Sequence, residues 1–236
     1  MNTHSFRRHN QLKVASDLLR AYAGKRILDI GCGEGLLERY LPDRDIIGMD
    51  ISARALLRAR SLKPRSRYIQ ADIRHIPVQD ACVQAVSMIA VLGGTSQDDE
   101  MRLFSEVRRV LQDKGTAVIL VSRRRLPYSL LAPDRLFGNG KWRHFDPQAL
   151  KANLETSGFT VRNMVYAGGM VSLCVSLFNA CWQRCWDVCT RKVLGKSVVP
   201  RLPQRFFNIL EAVEFRPFSE RMRRFSRFVY VVAQKI

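Results

Sequence analysis

An α/β protein with a parallel sheet covered by helices is what this sequence predicts, and three observations carry the prediction. Short β-branched runs alternate with amphipathic stretches through the first two thirds of the 236 residues, the order that places parallel strands between two helical layers. The first of these runs passes straight into three glycines spaced one apart, "ILDIGCGEG" at Ile27 to Gly35. The composition, 47% hydrophobic and 25% charged, is that of a chain able to bury a sizeable core.

The elements follow in order. Residues 1–24 mix basic and apolar positions without an apolar core run or a small-residue cleavage site, so they read as a helical lead-in, not as a signal peptide. Strands are expected at Arg26 to Ile30, Asp45 to Asp50, Arg67 to Asp72, Gln84 to Leu92 and Thr116 to Ser122. Helices are expected at "LLERYL" after Gly35, at "SARALLRARSL", and at "DDEMRLFSEVRRVLQDKG". In the last, Met101, Phe104, Val107, Val110 and Leu111 recur at helical spacing, Asp98 and Asp99 mark the start, and Lys114-Gly115 the stop. Asp146 followed by Pro147 opens another helix, which Gly158 closes. Strands six and seven are expected at "TVRNMVYAG" and "FVYVVAQKI". The chain 1–236 thus reads as one domain with an insertion at 170–226, longer than any turn between strands six and seven requires.

That insertion is unusual. From Met170 to Cys189, Ser172, Ser176, Asn179, Gln183 and Asp187 form one narrow polar stripe on an otherwise apolar helix. Asn163 to Gln183 carries no charge over 21 residues, a length that could cross a bilayer, but a crossing there would pull the sixth strand from its sheet. A helical cover over a cleft, or a helix lying in a membrane interface, fits better. Arginines and lysines then alternate with Phe206, Phe207, Phe215, Phe218 and Phe225. The net charge of the chain is +18, and thirteen Lys/Arg stand against four Asp/Glu from Val161 onward. An anionic membrane surface is the expected partner of this region, with nucleic acid, through "SRRRLP" and "RMRRFSR", as the alternative. Six cysteines without a secretory leader suggest reduced thiols in the cytoplasm, and the basic insertion allows a place at the inner face of a membrane. Cys181, Cys185 and Cys189 lie four apart, a spacing that suits neither zinc nor an iron–sulfur cluster, so no metal is expected.

Glycines between a strand and a helix at the carboxyl edge of a parallel sheet allow close approach to the backbone, and the helix start would face an anionic group. The motif "LDIGCGEG" resembles the first motif of the class I S-adenosylmethionine-dependent methyltransferases (type 11-like, small-molecule branch), and the resemblance covers most of Ala21 to Val165. It implies a doubly wound, seven-stranded mixed sheet, Rossmann-like, with the last strand antiparallel. It also implies S-adenosylmethionine as cofactor. Asp29 would lie near the methionine amino group, Asp50 would hold the ribose hydroxyls and Asp72 would meet adenine N6. Gly31, Cys32, Gly33, Gly35, Ile51, Ile73 and Ile89 would complete the cofactor site. Cys32 reads as a small loop residue, because no base accompanies it.

Methyl transfer from a sulfonium needs alignment and desolvation more than a base. His144, in "KWRHFDP", is the candidate for one, against the plainer reading of a residue before a helix cap. The end of strand four, "SMIAVLGGTSQ", lacks the Asn/Asp-Pro-Pro-aromatic signature of amino-group methylation of bases, and no cysteine pair marks cytosine-C5 chemistry. The expected acceptor is a small, hydrophobic or lipid-like molecule. RNA methylation and cofactor binding without catalysis are the alternatives.

Overall fold

The computed structural model describes residues 3–22, 26–62, 66–123, 143–168, 226 and 228–236. The chain divides into two compact units, one of residues 1–10 and 166–227, the other of 11–165 and 228–236. The expected helix at 170–189, the basic, aromatic stretch after it and most of "SRRRLP" and "RMRRFSR" lie outside the described residues.

The elements are α1 (Thr3–Tyr22), β1 (Arg26–Ile30), β2 (Asp45–Asp50), α2 (Ala53–Leu62), β3 (Arg67–Gln70), β4 (Val83–Ile89), α3 (Gln97–Val110), β5 (Leu111–Ser122), α4 (Pro147–Thr156), β6 (Phe159–Ala167) and β7 (Phe228–Lys235). The strands form one seven-stranded sheet in the order β3-β2-β1-β4-β5-β7-β6. β1 pairs in parallel with β2 and β4, β2 with β3 and β4 with β5, whereas β7 runs antiparallel to β5. This is the mixed sheet that the sequence implies. The strand order reverses between β1 and β4, so a crevice opens beyond their carboxyl ends.

Burial explains the uninterrupted apolar runs. Ala85, Val86, Ser87 and Met88 of β4 are all fully buried, as a strand covered on both faces demands. Within the second unit, Leu12 and Leu19 of α1 pack on Ile27, Ala85, Val118 and Val232, so this helix closes one face of the sheet. The starts of α3 and α4 are set by caps. Ser96 Oγ accepts the Asp99 amide at 3.1 Å, and Asp146 accepts the Gln148 amide at 3.4 Å ahead of Pro147.

Three local expectations are corrected. "LLERYL" forms a single 3-10 turn at Leu37–Arg39 and not an α-helix. Leu37, Glu38 and Leu41 are all buried and Pro42 follows, which disfavours the helical conformation at Leu41. β4 stops at Ile89, because Ala90 turns to φ +60°. α3 ends at Val110, short of Lys114-Gly115, because the carbonyls of Arg109 and Val110 accept the amides of Ala81 and Cys82 and draw the chain into the sheet. Its buried face also differs: Leu103 and the carboxylate of Glu100 point inward, while Met101 is half-exposed.

Candidate functional site

The carboxyl ends of β1, β2 and β4 and the loop after β3 enclose a cleft of about 480 Å³. Gly31, Met49 and Asp50 form one side. Ile51, Asp72, Ile73 and Arg74 form the next, and Ala90, Val91, Gly94, Thr95 and Asp99 the third. Of the residues singled out in the sequence, Gly31, Asp50, Ile51, Asp72 and Ile73 are brought together here. Asp29, Cys32, Gly33, Gly35, Ile89 and His144 are not among its walls.

Asp50 ends β2, and its carboxylate is held from both sides. Oδ2 accepts the Gly33 amide at 2.8 Å, and Oδ1 accepts the Ser52 amide at 2.9 Å. Ser52, not Asp50, caps α2, its Oγ accepting the Ala55 amide at 3.3 Å. An ionised carboxylate offers about four acceptor positions, so Asp50 keeps roughly one on each oxygen. That is the complement of a vicinal diol.

Asp72 is arranged differently. Its Oδ1 accepts the backbone amide and Nε of Arg74 at 2.9 and 3.0 Å, and Oδ2 accepts Arg74 Nη2 at 2.7 Å. By the same count, about one position remains on Oδ2, enough for one amino hydrogen. The Arg74 guanidinium holds the Asp72 carboxyl down at about 2, so it stays ionised in any ordinary buffer. Between these two acids stands Ile51, 67% exposed, an apolar wall without a cover.

The glycine loop is occupied in another way than its sequence suggests. A Cβ on Gly31 would lie 2.6 Å from Val91 Cγ2, and one on Gly35 would lie 2.6 Å from the Tyr68 hydroxyl. Both glycines also have positive φ, +69° and +67°. The close approach is therefore made by the protein's own side chains. The amides of Gly31 and Cys32 both donate to Met49 O, that of Gly33 to Asp50 and that of Gly35 to Cys32 O. No α-helix starts at this loop, so the expected anion cradle at a helix N-terminus is absent there.

Behind the loop the carboxylates are internal. Asp29 is buried and accepts a hydrogen bond from the Ser87 hydroxyl across β1 and β4. Glu38 is buried and accepts one from Ser66. Burial, with Glu38 close by, pushes the Tyr68 hydroxyl up, and burial beside Asp29 and Asp50 pushes the Cys32 thiol up, so neither is a nucleophile at neutral pH. His144 is half-buried between Arg143 and Phe145, whose own backbone amides donate to Gly93 O and Ser122 O.

The sequence reading missed Val91, Ala90 and Arg74. Ala90 left one signal that only the structure exposes, a non-glycine residue at positive φ at the mouth of a cleft. Arg74 could have been found from its place two residues after Asp72.

Residues 28–119 match the family model described as a methyltransferase domain. A probable S-adenosylmethionine-dependent methyltransferase of Mycolicibacterium smegmatis is 31% identical over 161 residues, covering 67% of this chain and 60% of that protein. A demethylmenaquinone methyltransferase of Thermus thermophilus is 28% identical over 194 residues, covering 67% and 85%. In fold, the chain resembles the Burkholderia thailandensis 1,6-didemethyltoxoflavin-N1-methyltransferase, whose crystal structure holds its substrate and S-adenosylhomocysteine, with a TM-score of 0.58, 14% identity and coverage of 95% and 78%. The chain spans 27 to 63% of the length of the first curated relatives it matches.

Proposed function

We propose that this chain is a class I S-adenosylmethionine-dependent methyltransferase, as the match of residues 28–119 and the 31% identity to the Mycolicibacterium smegmatis relative support, and that it methylates a small, hydrophobic or lipid-like acceptor. The observation that carries the reading is Asp50, fixed by two backbone amides with one acceptor position left on each oxygen. The residues fit the cofactor. Asp50 would receive its ribose diol, Asp72 its adenine amino group, and Ile51 with Ile73 would cover the faces of the ring. When bound, the cofactor supplies a methyl group already activated on a sulfonium. The chain's part is to orient and to exclude water.

Asp50 is held by two backbone amides, whereas Asp72 is kept ionised by Arg74. The rim from Ala90 to Thr95 faces them across the cleft and bounds the space left for an acceptor. Among the described residues, the carboxylate on this wall is Asp99, which accepts the Ser96 hydroxyl at 2.7 Å. His144 is retained as a candidate base only if the acceptor proton is brought to it. The hydrophobic acceptor rests on the apolar composition of 170–189 and on the relative named for demethylmenaquinone. The basic aromatic tail supports a contact with anionic lipid at the inner, cytoplasmic face of a membrane. Among the described residues, no helix is long and apolar enough to cross one.

The test has two arms. Calorimetry with S-adenosylmethionine should show binding that Asp50→Ala weakens by about two orders of magnitude, the loss of two hydrogen bonds to a charged group. A radiolabelled-methyl screen against quinone, lipid and RNA extracts should label the first two. Transfer to RNA alone would replace the acceptor class, and unaltered binding by the variant would remove the cofactor assignment.

A further inference from the structure

Arg143 stands outside the cleft, yet it ties together three parts that bound it. Its backbone amide donates to Gly93 O at 2.7 Å, and Nη1 donates to Thr95 O at 3.1 Å. Nη2 lies 3.0 Å from Glu100 Oε2, and the guanidinium covers the ring of Phe145 at 4.9 Å from its centroid. Glu100 is fully buried on α3, and its other oxygen accepts Asn153 Nδ2 of α4 at 3.2 Å. A buried carboxylate is costly unless paired, so this one fixes where the guanidinium must sit. The planar fork then reaches from the carboxylate to a carbonyl of the rim, Thr95, whose neighbour Gly94 also lines the cleft.

Among the described residues, the rest of the rim is held by the buried Leu92 and by the Ala90 amide, which donates to Leu120 O at 3.2 Å. After β4 it runs through Ala90 at positive φ and a single 3-10 turn at Leu92–Gly94, where the amides of Gly94 and Thr95 bond only to carbonyls three residues back. Such a turn opens easily without an external tie.

We propose that Arg143 is a positioning residue, which holds the rim Gly93–Thr95 in the shape that receives the cofactor and acceptor. This rests on the methyltransferase reading above. A lysine at this position keeps the charge opposite Glu100 but has one point of donation, so it cannot also span to Thr95 O. Arg143→Ala would leave the buried carboxylate unpaired and is expected to unfold readily, so Arg143→Lys is the deciding variant.

Two measurements on the full chain test it. Amide exchange of the peptide 90–96 is expected to quicken about tenfold in Arg143→Lys, with β5 unchanged. The dissociation constant for S-adenosylhomocysteine by calorimetry is expected to rise about tenfold, the loss of one charge-assisted hydrogen bond from the competent state. Either change without the other, or neither, overturns the proposal. Failure of the parent protein to bind S-adenosylhomocysteine would instead sink the methyltransferase reading, while the exchange rates alone would still decide whether Arg143 holds the rim.

Discussion

Gly35 offers a direct test of what the glycine loop is for. Replacing it with alanine does two things that the structure separates. The backbone stands at φ +67°, where an alanine costs about 1–2 kcal/mol. The new Cβ would also meet Tyr68 Oη at 2.6 Å, Tyr68 Cε1 at 3.3 Å and Ala59 Cβ at 3.3 Å, an overpacking of about 1–3 kcal/mol. Gly35→Ala should therefore lose about 2–5 kcal/mol of stability. Tyr68→Phe alone removes a buried hydroxyl close to Glu38, and the cycle subtracts whatever this single change does to stability. In the double variant the worst contact is gone while the φ term and the 3.3 Å contacts remain. Urea unfolding of the four proteins should thus give a favourable coupling of about 1–2 kcal/mol. Equal destabilisation by Gly35→Ala in both backgrounds would refute the packing argument. So would a variant of normal stability that fails to bind S-adenosylhomocysteine, since the glycine would then serve the ligand.

Three further outcomes follow from the same geometry. Arg74→Ala should raise the midpoint of Asp72 from about 2 toward the ordinary carboxylate value near 3.8, followed by NMR of its carboxyl carbon. The sign is that of a depressed acid: the Asp72 contribution is complete above the unfolded midpoint and disappears as pH falls through the folded one, so the variant, whose folded midpoint returns toward the unfolded one, should lack that contribution at every pH. An unmoved midpoint would show that Arg74 is not its cause. Arg109 donates to Asp80, Glu106 and the carbonyls of Ile76 and Val78, and Arg109→Ala should cost about 2 kcal/mol in urea, with less than ~0.5 counting against the staple. Iodoacetamide at pH 8 should modify half-buried Cys82 in the folded protein and spare Cys32, whose thiol is buried among carboxylates; early modification of Cys32 would contradict that setting.

How far the sequence could be read depended on where each residue finds its partners. β1, β2, β4 and β7 are buried on both faces, so their apolar runs announced them and their order implied the sheet. The cap at Asp146-Pro147 is local chemistry and was equally plain. Glu100 breaks the apolar spacing of α3 because its partners, Arg143 and Asn153, come from distant segments. The 3-10 turn at Leu37 looks helical until Ser66 and Pro42 are considered with it. Gly31 and Gly35 read as places where a ligand approaches the backbone, but the side chains that stand close to them, Val91 and Tyr68, arrive from later segments, the loop after β4 and the strand β3. Patterns mark burial and local turns. They carry no sign of which distant side chain fills a space.

The distribution of charge allows one more separation. The chain carries +18 overall, and its net positive charge per residue is higher from Val161 onward than before it. Among the described residues the cleft is the reverse, with Asp50, Asp72 and Asp99 on its walls against Arg74. A polyanion attracted to the molecule is therefore not drawn into the cleft, and recruitment and cofactor binding should be separate events. They should also differ in their response to salt. On the proposed reading Asp50 and Asp72 would hold their ligand by hydrogen bonds at short range, so between 50 and 300 mM salt the affinity for S-adenosylhomocysteine should change by less than about threefold. Attachment to vesicles of anionic lipid, which sums many exposed charges, should fall by more than about tenfold over the same range. A steep loss of cofactor affinity in step with vesicle release would mean that the basic surface and the cleft act as one site, and the placement of the donor against these acids would have to be given up.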